Sequence, residues 1–455
     1  MLLKNIAIQT TAQLFVIEGT TDRESTSSDD SLLSRSNSSD LLSLPSIEAP
    51  ARLIEAAESS TSNRYIIPTG FLIDGVRITT SIDCDFKLKE HPDLGKFIDY
   101  AYRQGIVARL YPEDSSLEKR VKDKIRASYF VQLAVNTLPE STDQNKLKAM
   151  VNWILLLFAF DNVIDSSTGK IPQNEDILKR YTAILSEKVQ GDPRHDEDAL
   201  THYLKREGIP SEEIEQALKP FRLASFLANE TQAFHTEARR YFESSLLEMY
   251  KPKAMNLNRY LSVRKESGAI DSVVRLAEEE LPDYFLKSAY FTQMNSSIVD
   301  YIWAVNDLGG AKEFVGHEPA YLKIQARTHY NEQAKKASQV DKPRLQIASF
   351  ETSLNELLVL INDSHEFYFH GKKAALDSIR DGSIFNQSQI EAEFKRMSAT
   401  EQDQFKGTVE NDFLRRCDIR ENLAAAGNEC TRISTRYIDF RDPSKNLDLS
   451  VPWTL

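Results

Sequence analysis

Asp161 and Asp165 stand four residues apart at the end of the apolar run Phe158-Ala-Phe-Asp-Asn-Val-Ile-Asp165. On a helix that spacing puts both carboxylates on one face, one turn apart. Carboxylate oxygens beside an oily wall suit a hard divalent cation that keeps positions open for water and phosphate oxygens. The same pair also reads as two solvated acids where a helix runs out into water. In Tyr260-Leu-Ser-Val-Arg-Lys-Glu-Ser-Gly268, Arg264 precedes Ser267 and Gly268 by one turn. A guanidinium fork meets phosphate oxygens at two points, which an ammonium cannot do. Gly268 can break the helix and turn a carbonyl toward a developing cation. Taken alone, this group is equally a basic pair at a surface helix end.

A third group, Val305-Asn-Asp-Leu-Gly-Gly-Ala-Lys-Glu313, follows an apolar run containing Ile298, Ile302 and Trp303. Asn306, Gly310 and Glu313 fall at i, i+4 and i+7, so one continuous helix would present an amide and a carboxylate on one face. The alternative is a capped helix end entering a glycine turn. The fourth group is Thr435-Arg-Tyr437, where Arg436 offers a second phosphate fork and Tyr437 a phenol; such a pair alone is usually surface.

Residues so placed need helices to hold them. Apolar residues recur at spacings of three and four over 117–138, 146–164, 221–242 and 285–308, which predicts a helical bundle. Pro172, Pro220, Pro282 and Pro319 are expected at or just before helix starts, where a missing amide costs little. Val76–Ile82 is the one plausible extended stretch, bounded by Gly75 and Asp83, although it could equally be a loop. Residues 1–60 are expected to be a disordered extension, serine-dominated from Glu24 to Pro45, and 61–91 an irregular lead-in. The composition, 41% hydrophobic and 27% charged, is that of a globular protein. A net charge of −12 without a basic stripe opposes nucleic-acid binding. Cys84, Cys417 and Cys430 lack metal or disulfide spacing, and no apolar run approaches the roughly 20 residues of a membrane span. With no signal-peptide core near the start, the expected compartment is the cytosol.

In this order, the four groups resemble class I terpene cyclases, particularly the fungal and bacterial sesquiterpene type. That family carries an aspartate-rich motif, an arginine sensor with a linker and an effector glycine, an Asn/Ser/Glu metal triad, and a terminal Arg-Tyr pair. The resemblance spans about residues 92–440, with 441–455 as a tail. It implies an all-α bundle around a central active-site cavity, a small-molecule prenyl diphosphate substrate, preferably farnesyl diphosphate, and Mg2+, with three ions expected. Carried over, Asp161 and Asp165 would bind metal, together with Asn306, Gly310 and Glu313 of the triad. Arg264 would sense diphosphate, Ser267 would link it to the Gly268 carbonyl, and Arg436 and Tyr437 would donate to the diphosphate and close the site. Phe158 and Trp303, one turn before their motifs, would line the cavity and stabilise carbocations with their ring faces; Tyr129 and Phe130 are weaker candidates.

The sequence departs from that pattern in places. Asn162 stands at the second aspartate, Gly310 replaces the triad serine, and Phe314 occupies the place of the acid, leaving Glu313 one residue early. The interval from Asn306 to Arg436 is long, and an extra helical insertion is expected at about 325–410, as a hairpin or a flap. A chain-elongating prenyltransferase would need a second aspartate-rich motif where Asn306-Asp-Leu-Gly-Gly310 stands. A proton-initiated cyclase would need DxDD, which Asp83-Cys-Asp-Phe86 does not supply. The remaining rival is a non-catalytic binder of prenyl diphosphate, or of a partner protein, on the same fold.

Overall fold

A computed structural model describes residues 64–73, 76–103, 129–165, 170–191, 193–250, 256–278, 280–309, 321–335, 342–434 and 438–439, with isolated positions between 119 and 126. Two strands open it, β1 (Arg64–Ile73) and β2 (Val76–Asp83). Helices follow: α1 (Leu94–Arg103), α2 (Phe130–Asn136), α3 (Gln144–Asp165), α4 (Lys170–Gln173), α5 (Glu175–Lys188), α6 (Pro193–Arg206), α7 (Ser211–Ala224) and α8 (Gln232–Tyr250). The second half holds α9 (Leu257–Ser267), α10 (Ile270–Ala277), α11 (Asp283–Lys287), α12 (Ala289–Leu308), α13 (Tyr321–Ala334), α14 (Lys342–Asp381), α15 (Glu391–Phe394), α16 (Ala399–Ser434) and β3 (Ile438–Asp439).

The bundle is built on helices whose apolar residues leave no wet face. In α3, Met150, Val151, Trp153, Ile154, Leu156, Leu157 and Phe160 are all fully buried, which requires neighbours on every side. Its Trp153 indole donates to Ser272 Oγ on α10 at 3.2 Å, so the central tryptophan leaves no buried donor unpaired. Starts are fixed by side-chain caps: Asn174 accepts from Asp176 and Ile177 amides, Asn256 from Arg259, and Ser288 from Phe291. Among the described residues, no helix is long and apolar enough to cross a membrane.

Several expectations change. The 221–242 stretch is two helices, because α7 ends at Ala224 and α8 begins only at Gln232. Pro220 sits inside α7 instead of starting a helix. Within 117–138, Tyr129 adopts φ 66° and α2 begins after it, so the stretch is not one continuous helix. The lead-in is not irregular: β1 and β2 pair as an antiparallel hairpin, with Ile67 and Ile82 buried in the same core as the helices. Residues 1–60 and 441–455 lie outside the described residues.

Most of the described residues in 325–410, where a helical hairpin or flap is expected, are helical and pack into the bundle. Phe350, Leu354, Leu357, Ile361, Tyr368, Ala375 and Ile379 form a buried stripe along the 40-residue α14. Where α14 crosses α12, a Cβ on Gly371 would come within 3.1 Å of Met294 Cβ and 3.2 Å of both the Met294 amide and the Tyr290 carbonyl. Backbone cannot yield as a side-chain tip can. We therefore expect Gly371→Ala to cost about 1–3 kcal/mol, read as a lower midpoint in chemical denaturation. A midpoint equal to wild type would mean the two helices part without penalty.

Candidate active site

Arg264, in the last turn of α9, is completely buried. Its guanidinium is gripped by Asp307, the penultimate residue of α12: Nε donates to Oδ1 at 3.0 Å, and Nη2 lies 3.0 Å from the same oxygen. The other oxygen of Asp307 accepts from the Tyr260 hydroxyl in a short hydrogen bond and from the Tyr321 amide at 3.3 Å. Burial alone would push the arginine's pKa down, but the Asp307 charge, helped by Tyr260 and Glu248, outweighs it and holds the group well above its ordinary value. The cation is therefore permanent. Among the described residues Arg264 Nη1 has no hydrogen-bond partner, and neither has the Nδ2 of the buried Asn306 next to Asp307. Buried unpaired donors of this kind cost on the order of 1–3 kcal/mol each, more when charged.

The helix break expected at Gly268 is present. The Gly268 amide closes on the Arg264 carbonyl at 3.1 Å and α9 stops, but the left-handed residue is Ala269, at φ 59°, not the glycine. Ser267 is buried, and its hydroxyl donates to Glu248 Oε1 at 2.6 Å. Seven residues earlier on α8, the Tyr241 hydroxyl donates to Asp161 Oδ1 at 3.0 Å. One helix thus supports both the aspartate end of α3 and the end of α9.

Asp161 is 2% exposed near the C-terminus of α3, and Asp165 is the last residue of that helix. The expected helical face of Asn306, Gly310 and Glu313 does not continue along α12. That helix ends at Leu308, where the Gly309 amide turns back onto the Asn306 carbonyl at 3.1 Å. Two consecutive glycines supply the reason, since each weakens a helix by about 1 kcal/mol relative to alanine. Gly310, Glu313 and Phe314 lie outside the described residues, as do Arg436 and Tyr437. Phe158 is buried against Phe130, ring centroids 5.3 Å apart. Trp303 is also buried, with its indole N–H anchored on Asp300 at 2.9 Å.

Among the described residues, no three His, Cys, Asp or Glu side chains converge to hold a metal by themselves. The described donors, the Asp161 carboxylate and the Asn306 amide oxygen, are nevertheless the hard oxygen type that a magnesium ion takes alongside waters and phosphate oxygens. They fit that ion as part of its shell.

Asp307, Tyr260, Tyr241 and Glu248 escaped the sequence reading. Tyr260 stands four residues before Arg264, and Tyr241 and Glu248 share a helical face, but neither spacing says what lies opposite. Asp307 had a signal, an acid beside Asn306 in an apolar helix, and it was passed over for its neighbour.

The family described as terpene synthase family 2, C-terminal metal binding, matches residues 152–319, the segment that holds Asp161, Arg264 and Asn306. The crystal structure of a-eudesmol synthase superposes with a TM-score of 0.50 at 13% identity, over 77% of this chain and 98% of that one. Linalool/nerolidol synthase from Streptomyces clavuligerus gives 0.47 at 11% identity over 77% and 98%, and hedycaryol synthase in complex with nerolidol 0.46 at 14% over 75% and 96%. No curated protein sequence matches the chain. The fold is that of the class I terpene synthases, and the resemblance seen in the sequence holds.

Proposed function

We propose that this terpene-synthase fold is a catalytically competent class I cyclase, a lyase that ionises farnesyl diphosphate with the help of Mg2+ and cyclises the resulting cation. The observation that carries this reading is the buried Arg264–Asp307 pair beside Asn306, with donors at Arg264 Nη1 and Asn306 Nδ2 left unpaired. A protein does not bury such groups without a ligand or an energetic cost, and a diphosphate supplies acceptor oxygens for the arginine.

In this mechanism the C1–O bond of the allylic diphosphate breaks and the leaving group takes both electrons. Magnesium, when bound, neutralises the negative charge that accumulates on the departing oxygens. Arg264 binds the diphosphate through Nη1, the side of the guanidinium turned away from Asp307, while Asp307 and Tyr260 keep the group aimed and charged. Asp161, Asp165 and Asn306 would hold the metal, with Gly310 and Glu313 at the remaining positions of the triad that the sequence resemblance implies. Arg436 and Tyr437 donate to the diphosphate, Ser267 ties the sensor to Gly268, and the apolar wall containing Phe158 and Trp303 keeps water from the cation. The compartment we propose for it is the cytosol.

A second reading, a non-catalytic prenyl-diphosphate binder, is favoured by one observation: α12 stops at Leu308, before Gly310. Incubation with farnesyl diphosphate, with Mg2+ or with EDTA, decides between them when both diphosphate and extracted hydrocarbons are followed. We expect cyclic product and stoichiometric diphosphate with Mg2+ and neither with EDTA. Magnesium-dependent binding with no turnover of farnesyl, geranyl or geranylgeranyl diphosphate would leave the binder.

A further inference from the structure

The turn that ends α9 carries its residues in the costly order. Gly268, which takes a left-handed conformation freely, is right-handed at φ −72°, and Ala269, which is strained there, is left-handed at φ 59°. A helix stop alone would need no such strain, because the glycine stands one residue away. A side chain kept in that region persists only where its surroundings over-determine it.

Two neighbouring helices supply that hold. On α8, the Ser244 hydroxyl donates to Glu266 Oε2 in a short hydrogen bond, and Glu248 accepts from the Ser267 hydroxyl at 2.6 Å. Ser244 is 2% exposed and so is Glu248, and they stand one turn apart. A single face of α8 therefore grips two consecutive residues just before the turn. Just after it, Ser272 Oγ donates to the Ala269 carbonyl at 2.6 Å and accepts from the Trp153 indole of α3 at 3.2 Å. The Glu248 charge also favours the Arg264 cation, as that of Asp307 does more strongly. Between the two grips lies the Gly268 carbonyl, which accepts no backbone hydrogen bond among the described residues.

We propose that Ser244 and Glu248 are positioning residues for ionisation: with Ser272 they clamp Ala269 in its left-handed conformation, and the clamped turn aims Arg264 and the Gly268 carbonyl at the diphosphate. This rests on the reading of Arg264 as the group that meets diphosphate. Arg264 stands three residues before Ser267 on the same last turn of α9, so whatever fixes Ser267 fixes the base of the guanidinium stem. A clamp of this kind acts on the geometry of the turn. Its loss is felt in kcat more than in affinity for the diphosphate product.

The test uses the full chain and reads turnover of farnesyl diphosphate with Mg2+, binding of inorganic diphosphate by titration calorimetry, and thermal melts. We expect Glu248→Ala to lower kcat about tenfold and diphosphate affinity only about twofold. Ser244→Ala should move both in the same direction by less, and Glu248→Gln, which keeps an acceptor for Ser267, should retain most of the wild-type kcat. The decisive variant adds Ala269→Gly to Glu248→Ala. Glycine takes the left-handed conformation without strain, so the turn no longer depends on the clamp and kcat should recover severalfold. If Glu248→Ala does not fold, Ser244→Ala with and without Ala269→Gly carries the same comparison. Wild-type kcat in Glu248→Ala, or no recovery on adding Ala269→Gly, overturns the clamp while wild-type turnover leaves its premise standing. A wild-type protein that turns over no prenyl diphosphate overturns the premise and the clamp with it, so the two failures are told apart by the wild type alone.

Discussion

Asp161→Ala should cut magnesium-dependent release of diphosphate by on the order of 10²–10³-fold while leaving the protein folded. The size of the effect follows from placement. The carboxylate is 2% exposed at the end of an apolar helix, where water screens little and one misplaced charge is felt strongly. The structural cost is small by comparison. Removing the side chain deprives the Tyr241 hydroxyl of its acceptor, a loss of about 1 kcal/mol. Tyr241→Phe provides the internal comparison, because it keeps the carboxylate and takes away only the hydrogen bond that orients it. Supports of that kind are worth roughly 10–100-fold in metal affinity or activity, so Tyr241→Phe should fall between wild type and Asp161→Ala, with a raised Mg2+ requirement. The measurements are initial rates of diphosphate release against Mg2+ concentration, and thermal melts. Wild-type rates in Asp161→Ala would remove the aspartate from the metal site.

How much of this was legible without coordinates can be argued from particular positions. Asp161, Arg264 and Asn306 were visible because each is a polar residue closing an apolar helical run, and the ends of helices are where such a residue can meet a ligand. Asp307 was not, because an aspartate beside an asparagine has no readable direction until the helix is packed, when it proves to point at Arg264 from 43 residues away in sequence. Pro220 was placed at a helix start by the usual preference, yet α7 tolerates it within its last turns, where tertiary packing of Phe221 and Leu218 outweighs one lost amide. β1 was hidden for a related reason. Pro68 and Gly70 argue against a strand, and the register of β1 on β2 does shift between Pro68 and Leu72. Besides its hairpin partner β2, β1 is tied down by contacts to α16 and β3, more than 350 residues on, which no local pattern can announce.

Arg264→Lys should lower kcat/KM by on the order of 10²-fold or more even though the charge is kept. In the proposed mechanism the guanidinium does two jobs with separate atoms. Its Nε and Nη2 face Asp307, and Nη1 is left for a ligand. A lysine ammonium is one point charge on a flexible stem, so it can neutralise Asp307 or meet the diphosphate but cannot hold both in fixed geometry. Lysine is the informative substitution because alanine would strand Asp307 as a buried, uncompensated carboxylate, which costs about 3–5 kcal/mol and confuses loss of function with loss of fold. Asp307→Asn separates the two jobs from the other side. It leaves Arg264 charged and still offers an acceptor to Tyr260 or Arg264, but it removes the charge that holds the fork in place. Binding of inorganic diphosphate should therefore survive in Asp307→Asn with a modest loss, while kcat falls further than affinity, because a fork aimed poorly can still bind a product but no longer meets the developing charge where it forms. Equal losses in kcat and affinity for Asp307→Asn would reduce Asp307 to a plain structural counter-ion, and wild-type kinetics in Arg264→Lys would remove Arg264 from the diphosphate altogether.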